Sequence, residues 1–352
     1  MDRFSGGLVC LVMLLNVGFS CNAPQKTGVR VAEKQRGVHL FGRFGAGDLD
    51  FLRNDHVEWI TLVPWATQRD FDSPEVRYYR RDSTEIARHD SMQLRRIALV
   101  HGAGYKVMLK PHVWINAPTP GTWRSDIYPS SEANWQTWRD SYREYILRYA
   151  RLAERGDVEL FCIGTEFTRL TTEYPEFWRE LIVEVRAVYS GQLTYAANWY
   201  QEFDRIDFWD QLDLIGVQAY FPLVDKNNPS VEEISAGWAR SLSELKRVSE
   251  RYQRPVLFTE LGYKSTSDSA TKPWEWVEDP EASDRELSHE TQANCYAAFF
   301  ESVWVQTWFA GAHLWQFRPE PFGGYPTADN LDFTPQGKPA EEVITRGFTR
   351  TD

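Results

Sequence analysis

Eight short apolar runs, separated by polar or helix-patterned stretches, constrain this chain more than any other feature. They cover residues 37–41 (GVHLF), 57–63 (VEWITLV), 106–110 (KVMLK), 158–163 (VELFCI), 192–197 (QLTYAA), 214–219 (LIGVQA), 255–259 (PVLFT) and 311–315 (GAHLW). Each is rich in β-branched or aromatic side chains, as strands covered on both faces are. Helical periodicity lies between them. Val231, Ile234, Trp238, Leu242, Leu245, Val248 and Tyr252 step by three or four and so share one helix face. Ser230 and Glu233 predict a capping box at that helix's start, because hydroxyl and carboxylate can each satisfy an orphan backbone N–H. Residues 135–153 and 290–309 are similarly amphipathic, and 338–347 predict a closing helix. A first helix near 48–55 is short and poorly patterned. Units of about 40 residues, repeated eight times, predict an α/β fold of the (β/α)8 TIM-barrel type. The rival is a doubly wound sheet. It would need G-x-G-x-x-G after its first strand, and GRFGAG at 42–47 lacks that spacing; no P-loop lysine is present either.

The barrel accounts for residues 37–348. Ahead of it, residues 1–20 (MDRFSGGLVCLVMLLNVGFS) combine a charged start with an apolar run too short to span a membrane, as signal peptides do. Cys21 follows directly, so the expectation is a lipoprotein-type signal whose cysteine is lipidated, with 21–36 as a flexible linker. The chain would then be exported and held to a membrane by its lipid, or secreted if Cys21 stays unmodified. Cys10 would leave with the signal. Cys162 and Cys295 sit in apolar runs and are expected as buried free thiols, and no CxxC suggests a structural zinc. Lys and Arg number 39 against 50 Asp and Glu, a net charge of −11 with no basic cluster, which argues against a nucleic-acid partner. No cofactor or metal is expected, and the chain is expected to act as a monomer.

Chemistry in such barrels sits at the carboxyl ends of the strands. Reading those positions in order gives Arg43; Trp65 and Gln68; His112 and Trp114; Glu166; Asn198 and Trp199; Tyr220; Glu260; and Trp315. Two carboxylates thus end the fourth and seventh strands, on opposite sides of the barrel mouth. Hydrolysis of a glycosidic bond needs such a pair, one acid to protonate the leaving oxygen and one carboxylate to attack the anomeric carbon. A single Glu after a strand is ordinarily a helix-start residue or a surface ion-pair partner. Two of them, each preceded by Thr and an apolar strand, predict a functional pair. The two roles make opposite demands: Glu166 must hold a proton, so apolar or negative surroundings are expected around it, whereas Glu260 must stay charged and needs donors.

The aromatic content supports a flat ligand. Trp 15, Tyr 16 and Phe 20 make up 14% of the chain. Trp59, Trp135, Trp138, Trp178, Trp238, Trp304 and Trp308 fall in strand or helix patterns and are expected in the core. Trp65, Trp114, Trp123, Trp199, Trp274, Trp276 and Trp315 fall at strand ends or in the loops after them, where an indole can stack on the apolar face of a sugar. His39, His112 and His313 raise the alternative of a metal-dependent barrel hydrolase. The His-x-His that such enzymes carry on the first strand is missing, so His112 is expected to line the cleft and the other two to be satisfied core groups. A sugar-binding lipoprotein without activity is a further alternative; keeping both carboxylates argues against it.

FCIGTEF (161–167) and LFTELGYKS (257–265) resemble the acid/base and nucleophile segments of clan A glycoside hydrolases. With VMLKPHVW (107–114), VQAYFP (217–222), the PWEW loop (273–276) and DFTPQGKPAEEV (332–343), the chain is similar to glycoside hydrolase family 113, retaining β-mannanases, over roughly residues 37–348. The resemblance implies a retaining hydrolase of β-linked polysaccharide such as β-1,4-mannan or glucomannan. Glu166 would be the acid/base and Glu260 the nucleophile. Tyr220 would donate to Glu260, and Trp315 would be the platform under the sugar at the cleavage point. One departure matters. Many clan members place Asn directly before the acid/base to contact the sugar 2-hydroxyl; here that residue is Thr165, and Asn198 is the expected substitute.

Overall fold

The computed structural model describes Met1 and residues 28–78, 83–277, 284–319 and 330–350. Apart from Met1, the expected leader and Cys21 lie outside the described residues. Among the described residues there are ten strands: β1 (Gln35–Leu40), β2 (Trp59–Leu62), β3 (Trp65–Gln68), β4 (Lys106–Leu109), β5 (His112–Ile115), β6 (Leu160–Thr165), β7 (Gln192–Asn198), β8 (Ile215–Gln218), β9 (Val256–Leu261) and β10 (Phe309–Phe317). Eight of them close a barrel in the order β1-β2-β4-β6-β7-β8-β9-β10, with β10 pairing back to β1 and every pair parallel. These are the eight apolar runs of the sequence, shifted by a residue or two. The fold is a (β/α)8 barrel.

The helices are α1 (Ser83–Gly102), α2 (Glu132–Arg155), α3 (Thr168–Glu173), α4 (Pro175–Arg186), α5 (Val231–Tyr252), α6 (His289–Phe299) and α7 (Pro339–Phe348). α5 begins and ends where its apolar stripe does, and Ser230 with Glu233 forms the capping box. Two of the outer connections are irregular. After β1 there is only the single 3-10 turn Asp50–Arg53, and between β7 and β8 only Trp209–Gln211. The expected helix 290–309 ends early: α6 passes into a π-helical turn, Phe300–Trp304, and Phe309 already belongs to β10. Aromatic residues continue straight from helix into strand there, and periodicity does not mark the join.

Inside, the barrel changes character along its axis. Trp59, Met108, Leu160, Leu214, Leu257 and Ala310, at or near the strand starts, form an apolar plug. Above them the interior is buried but polar. His313 bonds Thr61 Oγ1 through Nδ1 (2.7 Å) and Gln35 Oε1 through Nε2 (2.9 Å), so this histidine is a satisfied core group as expected. Outside, the helices bury a large aromatic cluster against the strands. Trp135, Trp138, Trp178, Trp238, Trp304 and Trp308 are all in it, and Cys162 and Cys295 are buried free thiols.

Two strands stand apart from the barrel. β3 and β5 continue the chain beyond the ends of β2 and β4 and pair in parallel, Trp65 with His112 and Thr67 with Trp114. The sequence reads these segments as loops. They are four-residue strands that raise one side of the barrel mouth.

Candidate functional site

Glu260 lies on β9, one residue from its end, buried in the mouth of the barrel. Its Oε1 accepts from Lys110 Nζ at 2.5 Å and its Oε2 from Tyr220 Oη at 2.8 Å. The Lys110 ammonium, itself fully buried, also donates to Gln218 Oε1 (3.0 Å) and the Thr259 carbonyl (3.2 Å), and lies 3.2 Å from His39 Nε2. Three strands, β1, β8 and β9, thus converge on one cation placed just after β4. Burial lowers the Lys110 pKa, while Glu260 opposes that shift. The Tyr220 hydroxyl is pushed well above its ordinary value by burial and the Glu260 charge, so it remains a donor.

Glu166 follows β6 directly. Its backbone is in the left-handed region (φ 55°), which few non-glycine residues occupy without support. Support comes from both sides: Glu166 N donates to the Ala196 carbonyl (2.9 Å), and Phe167 N donates to Tyr195 Oη (2.7 Å). Gly164, two residues earlier, allows the aromatic floor beneath. A Cβ there would stand 2.8 Å from Tyr195, 2.9 Å from Trp178 and 2.9 Å from the Tyr142 hydroxyl. The Gly in GTE is therefore a packing requirement.

The surroundings of Glu166 differ from expectation. The sequence calls for apolar or negative neighbours, but Arg124 pairs with it, Nη2 at 2.9 Å and Nε at 3.2 Å from Oε2. Both bonds fall on one oxygen, and no hydrogen bond from a described residue reaches Oε1. Arg124 Nη1 also lies 3.2 Å from His112 Nδ1. Arg124 rides on a loop pinned by Asp70, which accepts from Thr119 Oγ1 (2.6 Å) and Thr119 N (2.9 Å).

His112 is buried between the two carboxylates. Its Nε2 stands 3.8 Å from Glu260 Oε1, too far for a hydrogen bond, and His39 Nε2 stands 3.9 Å from the same atom. Burial first, then the Lys110 charge, holds both imidazoles well below the usual histidine value, so both are neutral and neither makes an ion pair.

Aromatic walls rise on two sides. Trp65, Trp114 and Trp123 step outward from His112, with ring centroids 4.9, 5.9 and 5.8 Å apart in turn. Opposite them Trp199 stacks on Trp274 (5.2 Å), and Trp276 meets Trp315 edge-on (5.9 Å). Trp65, Trp114, Trp123, Trp274 and Trp276 are the exposed tryptophans among the described residues. Trp315 is more enclosed than a bare platform, packed against His39 and Phe41, and its Nε1 is buried without a partner. Asn198 turns back on its own loop, Oδ1 accepting from Tyr200 N (3.0 Å).

Sequence reasoning missed three residues. Lys110 left a signal, a lysine at the functional end of an apolar strand. Arg124 left none, since it looks like any loop arginine. Glu202 also looks like a surface acid, but it is fully buried behind Glu166. It accepts from Tyr195 Oη (2.6 Å), Asn198 N (2.7 Å), Thr171 Oγ1 (3.0 Å) and Thr168 Oγ1 (3.2 Å). Through Tyr195 it braces the amide of the residue after Glu166.

The family model of Glycoside Hydrolase Family 113 matches residues 39–338. No curated protein matches the chain in sequence. Among solved structures, a GH113 β-1,4-mannanase in complex is 28% identical, with 90% of this chain and 100% of that one covered and a TM-score of 0.76. The GH113 β-mannanase of Alicyclobacillus acidocaldarius is 28% identical, with 92% and 98% covered and a TM-score of 0.73. A β-glucuronidase of Faecalibacterium prausnitzii, 12% identical over 90% of this chain and 49% of that one, shares the barrel fold (TM-score 0.56).

The Glu202 carboxyl gives a pH prediction. Burial raises it from 4.5 to about 7, against the hydrogen bonds that favour its charge. A carboxyl raised in the folded state contributes stability that is full below pH 4.5 and is lost as pH rises through about 7. This contribution amounts to about 3 kcal/mol across that window. Glu202→Gln is expected to flatten the fall in melting temperature between pH 5 and 8. Thermal unfolding across that range checks it, and an unchanged slope counts against the assignment.

Proposed function

Because the chain belongs to Glycoside Hydrolase Family 113, and is therefore a glycoside hydrolase, we propose that it cleaves β-1,4-mannan or glucomannan with retention of configuration. The observation that carries this reading is the contrast between the two carboxylates. Glu260 has both oxygens engaged by donors, a buried ammonium and a phenol, which fix its orientation. Glu166 has one oxygen engaged and one free to carry a proton.

In the first step Glu166 delivers its proton to the glycosidic oxygen as that bond breaks, and a Glu260 oxygen bonds to the anomeric carbon. The negative charge of Glu260 is thereby consumed in an ester. The departing chain leaves as an alcohol. In the second step Glu166, now a carboxylate paired with Arg124, takes a proton from water. The water oxygen bonds to the anomeric carbon, and Glu260 leaves with its charge restored beside Lys110 and Tyr220. The mannan assignment is supported by the family and by the two mannanase structures 28% identical to this chain. The aromatic walls suit a chain of pyranose rings, whose flat C–H faces bury apolar area on indole. Cys21 as a lipid anchor on the exported enzyme belongs to the same proposal.

Incubation with a panel of β-linked glycans tests the substrate. Release of manno-oligosaccharides from mannan or glucomannan, with the β-anomer formed first by NMR, is expected. Release from xylan or β-glucan alone, or initial α-anomer, overturns the reading.

Glu260→Ala and Glu166→Ala are each expected to lower kcat by about 10³-fold or more in a protein that still folds, with a lowered melting temperature for Glu260→Ala because the buried Lys110 ammonium loses its partner. Activity near wild type in either one removes that residue from its role.

Trp114→Ala and Trp123→Ala are expected to raise KM for polymeric mannan by about five- to tenfold each, as loss of one stacking contact implies. KM on an aryl mannobioside should rise less. Equal effects on polymer and bioside would remove the outer row from substrate binding.

A further inference from the structure

We propose that Lys264 is a positioning residue for substrate binding: from beneath the turn at 272–276 it fixes Trp274 and Trp276 as one sugar-binding wall beside Glu260. The inference rests on the glycosidase reading of the cleft given above.

The order of these two indoles calls for a cause, because nothing regular carries them. β9 ends at Leu261 and α6 begins at His289, and the described residues between them contain no helix or strand. Trp274 is 40% exposed and Trp276 is 46% exposed. An exposed indole on an irregular segment ordinarily samples many orientations, and a sugar that stacks on it must offset the entropy of ordering it. Here the two are directed to different strand ends. Trp274 stacks on Trp199, just after β7, with ring centroids 5.2 Å apart. Trp276 meets Trp315 of β10 edge-on at 5.9 Å and packs on Phe333 at 5.0 Å. Two side chains so close in sequence hold such divergent contacts only if the backbone between them is fixed.

Lys264 fixes it. The residue lies four positions after Glu260 and is fully buried. Its Nζ donates to the Lys272 carbonyl (2.9 Å) and the Glu275 carbonyl (2.8 Å). The first carbonyl lies just before Pro273 and Trp274, and the second belongs to the peptide that joins Glu275 to Trp276. The Lys272 carbonyl also accepts from Glu275 N (3.2 Å), which closes the turn. Nζ stands 6.0 Å from the centre of the Phe333 ring, the same ring that supports Trp276. Burial lowers the amine to about 8, yet charged or neutral it keeps the two N–H donors that both carbonyls require. The hydrogen bonds of Lys110 reach a carboxylate; those of Lys264 go to the main chain of the turn.

The strut is anchored on the strand that carries Glu260. A Cβ at Gly262 would stand 2.5 Å from the Trp315 carbonyl and 3.1 Å from Phe333, so the chain leaves β9 pressed against the Trp315 platform. Lys264 therefore sets the distance between the turn and the strand end, and with it the place of both indoles relative to the carboxylate. An outer brace exists too: Arg285 bonds Glu275 and pairs with Asp268, all three of them partly exposed. That brace keeps the segment closed when the buried amine is replaced, so a change at Lys264 is expected to loosen the wall without unfolding the barrel.

Steady-state kinetics on β-1,4-mannohexaose, or on the hexaose of whichever β-glycan the wild type cleaves, tests this. Lys264→Met keeps the length and the apolar stem and removes the donors. It is expected to raise KM about five- to tenfold with kcat within about twofold of wild type. A role in stability alone would lower the active fraction, and so kcat, and leave KM in place. Trp274→Ala/Trp276→Ala is expected to raise KM at least as far. Lys264→Met added to that pair is expected to change KM by less than about twofold, because residues that act through one another are not additive. Where Lys264→Met does not unfold cooperatively, Lys264→Gln, which keeps an amide donor on a shorter stem, is expected to raise KM about two- to fivefold. A folded Lys264→Met or Lys264→Gln with wild-type KM overturns the proposal. So does a fall in kcat at unchanged KM, or the full Lys264→Met effect in the double-alanine background. Inactivity of the wild type on every β-linked glycan overturns the preceding reading; an active wild type with any of these outcomes overturns this one alone.

Discussion

A lysine ammonium inside a protein is expensive. The idealised cost of moving such an ion from water into a low-dielectric interior is of order 20 kcal/mol, and several kcal/mol remain after relaxation. Lys110 is fully buried near the axis of the barrel, and the structure around it is arranged to offset that cost. A carboxylate, an amide oxygen and a backbone carbonyl, from two strands, all turn toward it. The same arrangement commits Glu260, since a buried carboxylate with a cation at 2.5 Å and a phenol at 2.8 Å has little room to turn. The Lys110–Glu260 pair therefore does not hang on loops. It is the upper layer of the barrel's own packing, which is why the interior changes from the apolar plug at the strand starts to a network of hydrogen bonds above.

Glu166 is held by a different logic. Its backbone strain is supported by the strand beside it and by Tyr195, and Tyr195 is in turn fixed by Glu202. Glu202 is anchored by two threonines of α3, the helix that begins two residues after Glu166. The strained residue, the next strand and the following helix are thus tied through one buried carboxyl. Aromatic packing supplies the rest of the floor, and Gly164 is the point where a side chain could not be accommodated.

What the sequence made legible follows from where each signal comes from. Strands buried on both faces must be apolar along their whole length, so the eight barrel strands stand out. Their carboxyl ends can then be read directly, which locates Glu166, Tyr220, Glu260 and Trp315. β3 and β5 were not legible because four residues carry too little periodicity, and their prolines and polar neighbours read as loop. Arg124 and Glu202 were hidden for another reason. Their importance lies in burial, and nothing local distinguishes a buried loop arginine or glutamate from a solvated one. Trp209 is fully buried and belongs with the core tryptophans.

Under the proposed retaining mechanism, the arginine beside Glu166 bears on how one carboxyl can serve as acid and then as base. Surroundings that only raise its proton affinity would help the first step and hinder the second. Surroundings that only lower it would do the reverse. Here the cation bonds a single oxygen, Oε2, and leaves Oε1 without a partner among the described residues. A proton on Oε1 can therefore be held and given up while the guanidinium stays in place. In the proposed two-step reaction the guanidinium can keep its bonds to Oε2 throughout, so no movement of Arg124 is required.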